Sequence, residues 1–134
     1  MDKRFQAKVD LSLRKLARQW KPIQNVRKRA KIGPELFKCE GCGQIVYSGA
    51  RSIEVIKIDF PTAIVDKIEI DHIEPVVPTN WDGIRDWNVH FKRLFCDESN
   101  LQALCKSGCH LSKTLMENSE RTEWKRAQKL ATKL

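Results

Sequence analysis

Three short segments of the chain carry residue types able to act on a phosphodiester: Ile70-Asp71-His72-Ile73-Glu74-Pro75, Asn100-Leu101-Gln102-Ala103-Leu104-Cys105 and Cys109-His110-Leu111-Ser112-Lys113-Thr114. Asp71 offers a hard carboxylate oxygen and His110 an imidazole nitrogen, a set compatible with magnesium, manganese or nickel. His72 offers a second imidazole, a group that titrates near pH 6.5 when unperturbed and so can accept a proton at neutral pH. A phosphodiester anion repels hydroxide and expels a poor alkoxide leaving group. A divalent cation on the non-bridging and departing oxygens offsets both difficulties. Together the segments point to metal-dependent phosphodiester hydrolysis.

A separate metal site is written in the cysteines. Cys39-x2-Cys42 and Cys105-x3-Cys109 have the spacing of two knuckles that converge on one tetrahedral zinc. A redox Cys-x-x-Cys is the main competing reading, and the absence of a thioredoxin-like context counts against it. Four thiolates saturate such an ion, so it staples the fold and leaves no open position for catalysis. Structural zinc supplies on the order of 10–16 kcal/mol in small peptides, comparable to a whole domain's stability, so the metal-free chain is expected to fold poorly. Cys96 is left over and reads as a buried core thiol.

With these residues in this order, the chain resembles the HNH endonucleases, in particular the small four-cysteine members often encoded by bacteriophages. The resemblance covers roughly residues 36–116. It rests on Cys39 and Cys42, Asp71-His72-Ile73-Glu74-Pro75, Arg93-Leu94-Phe95-Cys96, Asn100 to Cys105, and Cys109-His110 followed by Lys113-Thr114. It implies an α+β fold whose ββα-metal core wraps one divalent cation. His72 would be the general base that deprotonates the attacking water, and Asp71 and His110 the metal ligands. Asn100 would either bind the metal or pin the loop that carries the base. The chain departs from the family at two points. Lys106-Ser107-Gly108 separates the second cysteine pair where two residues are usual, and Gly108 is expected to absorb the extra one in a bulge. Ser112, Lys113 and Thr114 occupy the region where some relatives have a further histidine. This predicts a weakly held, well-hydrated magnesium or manganese ion, with Lys113 free to contact a phosphate.

The 134 residues suit one domain, and the net charge of +8 is unevenly placed. Residues 1–38 carry twelve Lys/Arg against three acidic residues, and the remainder thirteen against fourteen. A segregated basic stretch is the electrostatic footprint of nucleic-acid binding; a merely solvated basic helix is the plainer reading. Arg27, Lys28, Arg29 and Lys31 are the candidate DNA contacts of this stretch. DNA is the expected partner, phage packaging proteins a further one suggested by the resemblance. No apolar stretch is long enough to span a bilayer and the N-terminus does not read as a signal peptide, so a reducing cytoplasm (the host's, for a phage protein) is the expected compartment.

These residues need elements to position them. Val9, Leu13, Leu16, Ala17 and Trp20 recur at helical spacing, Pro22 interrupts, and Ile23, Val26 and Ala30 continue, giving a basic helical arm over residues 1–35. Gly33-Pro34 reads as a hinge into a nuclease domain over residues 36–134. Strands are expected near Gln44–Tyr47, over Ile53–Phe60 and over Ile64–Ile70, the last running into Asp71-His72. Helical spacing returns over residues 81–95. A short helix capped by Ser99 is expected over Leu101–Leu104, and a long C-terminal helix from Leu111 with Leu115, Trp124, Ala127 and Leu130 as its contacts. Trp81, Trp87, Phe91 and Phe95 read as core, Trp20 and Trp124 as packing residues, and His90 as a surface or packing residue. Glu74 is a candidate to orient a neighbour or a metal-bound water. The alternative from another class is a non-catalytic, zinc-stabilised DNA-binding or assembly module of the same fold. Against it, Asp71, His72, Asn100 and His110 are all present together.

Overall fold

In the computed structural model, which describes residues 2–133, the chain opens with two helices that a proline separates. Helix α1 (Lys3–Ala17) is capped by Asp2, whose side chain accepts the Phe5 N–H at 2.8 Å. Pro22 sits in the first turn of α2 (Lys21–Ala30), where no partner is lost with its missing N–H and its fixed φ suits the helix. The chain then enters a four-stranded sheet of β1 (Lys31–Gly33), β2 (Leu36–Lys38), β3 (Ile45–Tyr47) and β4 (Ile64–Val65), in that order. The first two pairings are antiparallel and β3–β4 is parallel. Gly33-Pro34 is therefore the turn of a hairpin, not a hinge between domains, and Glu35 takes a positive φ of 57° to close it.

Two expectations about the next segments are corrected. Residues Ile53–Phe60 are not a strand: Ile53–Asp59 forms helix α3. Ile53, Ile56 and Phe60 fall on one face and pack on Leu36, Tyr47 and Ala63, so burial at helical spacing overrides the β preference of Val and Ile. The expected strand Ile64–Ile70 divides into β4 and β5 (Ile68–His72) at Asp66-Lys67. There the Asp66 carboxylate turns away to accept the backbone N–H and hydroxyl of Ser107, at 3.1 and 3.0 Å.

The expected short helix over Leu101–Leu104 is also corrected. One 3-10 turn (Glu98–Asn100) leads into strand β6 (Leu101–Cys105), which pairs antiparallel with β5 in a register of His72 with Leu101 and Ile68 with Cys105. Leu101, Ala103, Leu104 and Cys105 are all buried, because α2 also packs on this strand. Burial on both faces erases the alternation that would mark a strand. Val26 of α2 is completely buried, at 0% exposure, in the same cluster as Val46, Ile68 and Leu101. Residues 1–35 thus contribute to the core that residues 36–133 complete.

Between β5 and β6 lies helix α4 (Trp87–Leu94), shorter than the expected 81–95. Asp86 caps it, accepting from Asn88 and Val89 at 3.0 and 3.3 Å. Residues 81–86 are irregular, and the Arg85 guanidinium lies 5.3 and 5.1 Å from the ring centroids of Trp81 and Trp87. Phe91 is 52% exposed and so not a core residue. Helix α5 (Leu111–Thr132) buries none of its described residues; Leu115 and Leu130 are each 60% exposed and so are not core residues. Arg121 ties α5 to the chain before α4 by donating to the Val77 carbonyl at 2.9 Å. No helix among the described residues is long and apolar enough to cross a membrane.

His90 holds α1 to α4. It is buried, with 4% exposure, and its Nε2 lies 2.8 Å from Asp10 Oδ1, which Arg14 and Arg85 also approach. Burial lowers its pKa from the ordinary 6.5, with Arg85 and Arg14 adding to the fall and Asp10 only partly opposing it. The unfolded chain therefore takes up a proton at His90 before the folded chain does. Stability should decline as pH falls from about 6.5 toward the depressed folded value. Urea denaturation across that window should show a flatter pH dependence in His90→Gln than in the parent protein.

Candidate metal centre and active-site cleft

The four cysteines arrive from two directions. Cys39 and Cys42 flank the turn between β2 and β3, which the Gly43 N–H closes on the Cys39 carbonyl at 3.0 Å. Cys105 ends β6, and Cys109 lies in a single wide turn of π type over Lys106–His110. That turn absorbs the extra residue of the Cys-x3-Cys spacing. The four Sγ atoms all lie within 4.8 Å of one another, and Cys42 and Cys105 are 3.9 Å apart. Zinc–sulfur bonds of about 2.3 Å in a tetrahedron set sulfurs about 3.8 Å apart, so the arrangement fits a four-thiolate metal site.

The backbone around the sulfurs is shaped for them. Cys39 Sγ accepts N–H groups of Cys42 and Cys105 at 3.5 and 3.3 Å, and Cys105 Sγ accepts that of Cys109 at 3.3 Å. A Cβ at Gly108 would approach Cys105 Sγ to 2.9 Å, and one at Gly41 would approach Cys109 Sγ to 3.1 Å. At Gly108 a side chain would force a shift, and at Gly41 it would press on the sulfur and on Leu104. Burial acts to raise the Cys39 thiol, but the donated N–H groups outweigh it and bring its pKa to about 7. Burial and then the neighbouring sulfurs push Cys109 up to about 12. Four thiolates packed this closely repel one another, and a bound metal ion would supply the positive charge that offsets the repulsion.

Glu40, between the cysteines of the first pair, joins the knuckle to its surroundings. Its backbone N–H donates to the Ala103 carbonyl at 2.8 Å and its Oε1 accepts the Ala103 N–H at 2.7 Å. Arg29 of α2 grips the same carboxylate with both Nε and Nη2, each at 2.8 Å. Arg29 is thus committed to the fold. Arg27, Lys28 and Lys31 remain exposed.

The register of β5 and β6 brings Asp71 and His72 beside Asn100. Asp71 and His72 close β5 beside the start of β6, which Asn100 immediately precedes. The Asn100 carbonyl accepts the Ile73 N–H at 2.8 Å, and its side chain receives the Glu74 N–H at 2.9 Å and donates to the Glu74 carbonyl at 3.3 Å. Asn100 therefore pins the loop that follows His72. His72 donates Nε2–H to the Leu94 carbonyl at 3.0 Å, a bond that leaves Nδ1 as the ring's acceptor.

Asp71, His72 and His110 line one cleft of about 460 Å3. Its other wall comes from α1 and α2 and includes Arg14, Arg18 and Arg27. The ligand atoms of Asp71, His72 and His110 do not converge as tightly as those of the cysteines. Asp71 Oδ2 is buried, and the Lys113 ammonium pairs with it at 2.9 Å. Lys113 also donates to the His72 carbonyl at 2.9 Å and pairs with Glu117. Burial opposes its protonation, but Glu117 and Asp71 outweigh that and raise its pKa. Lys113 is thus occupied within the fold and not free for a phosphate. A buried carboxylate and the His110 imidazole on one cleft are the kinds of donor that a divalent cation accepts. Lys113 already neutralises part of the Asp71 charge, which favours a weakly held ion.

No protein-family model matches the chain, and no curated protein or solved structure matches it. Arg14 and Arg18 are functional candidates that motif reading passes over; their only sequence signal is that both share a helix face with buried Ala17. Cys96 is half-buried and lies outside the cysteine cluster.

Chelation of the metal should abolish the cooperative thermal transition followed by circular dichroism. Cys42→Ser and Cys109→Ser should purify with little bound metal by mass spectrometry, whereas Cys96→Ser should retain it. Asn100→Ala should cost about 1–2 kcal/mol in urea denaturation, the scale of two partly exposed hydrogen bonds, with the metal content of the cysteine cluster unchanged.

Proposed function

We propose that the protein is a divalent-metal-dependent DNA endonuclease of the HNH kind, with zinc as the ion of its cysteine cluster. The observation that carries this reading is the shared cleft of Asp71, His72 and His110 on a β-hairpin followed directly by a helix, with Asn100 pinning the loop beside the base. The matching order of motif residues along the chain supports it further.

His72 Nδ1 takes the proton of the attacking water, while the Nε2–H bond to Leu94 fixes the ring's tautomer and direction. Asp71 and His110 would hold the catalytic cation; when bound, it supplies positive charge to the non-bridging and leaving oxygens of the phosphodiester. Lys113 fixes the Asp71 carboxylate and the His72 backbone carbonyl against α5. Arg27, Lys28 and Lys31 supply sequence-independent attraction to the phosphate backbone. Phage packaging proteins are candidate partners on the strength of the resemblance alone.

A second reading, a zinc-stabilised DNA-binding or assembly module without catalysis, is favoured by one observation: Lys113 already occupies the Asp71 carboxylate. Supercoiled plasmid incubated with zinc-loaded protein and magnesium, manganese or nickel separates the two. Nicking that disappears when the added metal is left out and in a folded, DNA-binding His72→Ala variant is the expected result. Tight binding without cutting under every metal would favour the module, and equal cutting by both proteins would remove His72 from the mechanism.

A further inference from the structure

Residues 1–35 lie outside the family resemblance, yet they form half of the cleft. Four bonds fix them there. Trp20 Nε1–H donates to the Cys96 carbonyl at 2.8 Å, and its ring meets Phe95 edge-on with centroids 5.5 Å apart. Asn25 donates to Glu98 at 2.6 Å, Arg29 grips Glu40, and Asp10 holds His90. A wall tied at four points, with Val26 and Ala30 in the core, is a fixed surface, and its side chains present a defined pattern to whatever enters.

The guanidiniums in and around that wall differ in one respect. Arg14 pairs with Asp10 at 3.1 Å and Arg29 with Glu40, so their charges are already used. Arg18 and Arg27 line the cleft and have no hydrogen bond or ion pair among the described residues. They face Glu69 and Asp71, carboxylates that would repel an entering phosphodiester. The Arg fork matches two phosphate oxygens at once, a geometry Lys cannot reproduce.

We propose that Arg18 and Arg27 form a phosphate clamp: they bind non-bridging oxygens of the nucleic-acid strand inside the cleft, across from His72, and position the scissile bond. The clamp gives the two N-terminal helices a direct part in substrate placement, beyond general attraction along the backbone. It rests on the nuclease reading for its role in cleavage, but not for its contact with phosphate.

The test measures binding of a labelled DNA duplex by zinc-loaded His72→Ala protein, with neither chelator nor further divalent metal added, over a range of salt concentrations. Arg18→Gln and Arg27→Gln are each expected to reduce the slope of log K against log salt by about 0.9, one phosphate contact apiece. A paired Lys125→Gln/Lys129→Gln control on the far part of α5, equal in charge change to the double Arg18→Gln/Arg27→Gln variant, is expected to leave the slope unchanged. In the parent background, each Arg→Gln variant should lower kcat/KM by roughly tenfold, the scale of one charge-assisted hydrogen bond. Arg→Lys should restore the salt slope but not kcat, which a merely structural role would not produce. Both arginines are exposed and unpartnered, so their variants should melt as the parent does.

An unchanged slope in the double Arg→Gln variant, an equal loss in the lysine control, or no DNA binding at all would overturn the clamp. Cleavage by the parent together with unaltered binding and cleavage by the double variant would reject the clamp and leave the nuclease reading intact. A reduced slope without cleavage by the parent under any metal would support the clamp and reject the nuclease reading.

Discussion

Convergence of four sulfurs is the constraint on which the remaining structure depends. The β5–β6 hairpin has only two strands, too few to stand alone in water. One end of it is held by Cys105, which shares its site with Cys39 and Cys42 from the other sheet and with Cys109 from the turn into α5. A single ion in that site would join both sheets and fix the direction in which α5 departs. Because His110 follows Cys109 directly, the same constraint sets where its imidazole faces. The cysteine cluster and the cleft that His110 lines are thus coupled by one residue step along the chain.

Helix α2 supplies the second support. Its apolar face covers β6, and Arg29 on its flank grips Glu40, which in turn pairs with Ala103. Burial acts to raise the Glu40 carboxyl, but the hydrogen bonds from Arg29 and Ala103 prevail and hold it below the ordinary carboxylate range. The basic N-terminal segment therefore has two electrostatic duties. Arg29, paired and inward, fastens the helix to the knuckle, while Arg18 and Arg27, unpaired, face the cleft. Lys113 shows the same division on α5: its charge serves Asp71, Glu117 and the His72 carbonyl, not a ligand.

Much of the site was legible in the sequence because its signals are chemical and local. Cysteine spacing announced the cluster, and the Asp-His pair at the end of a β-rich segment falls at the end of β5. The secondary structure around it was harder to read. Ile53–Asp59 has β-branched residues at helical spacing, and packing against Tyr47 decides for the helix. Leu101–Cys105 has helix-forming residues buried on both faces, and pairing with β5 decides for the strand. Tertiary contacts settle both segments, and no window of sequence contains them. The roles of Arg18, His90 and Lys113 were hidden for a related reason: each depends on which distant carboxylate the fold does or does not bring beside it.

The claim that a cation site lies beside His72, distinct from the cysteine cluster, is tested most directly by titrating zinc-loaded protein with manganese and following the ion by electron paramagnetic resonance. One manganese per chain, lost in His110→Ala and in Asp71→Asn while the zinc stays bound, is the expected result. Absence of manganese binding, or binding that survives both substitutions, would contradict it.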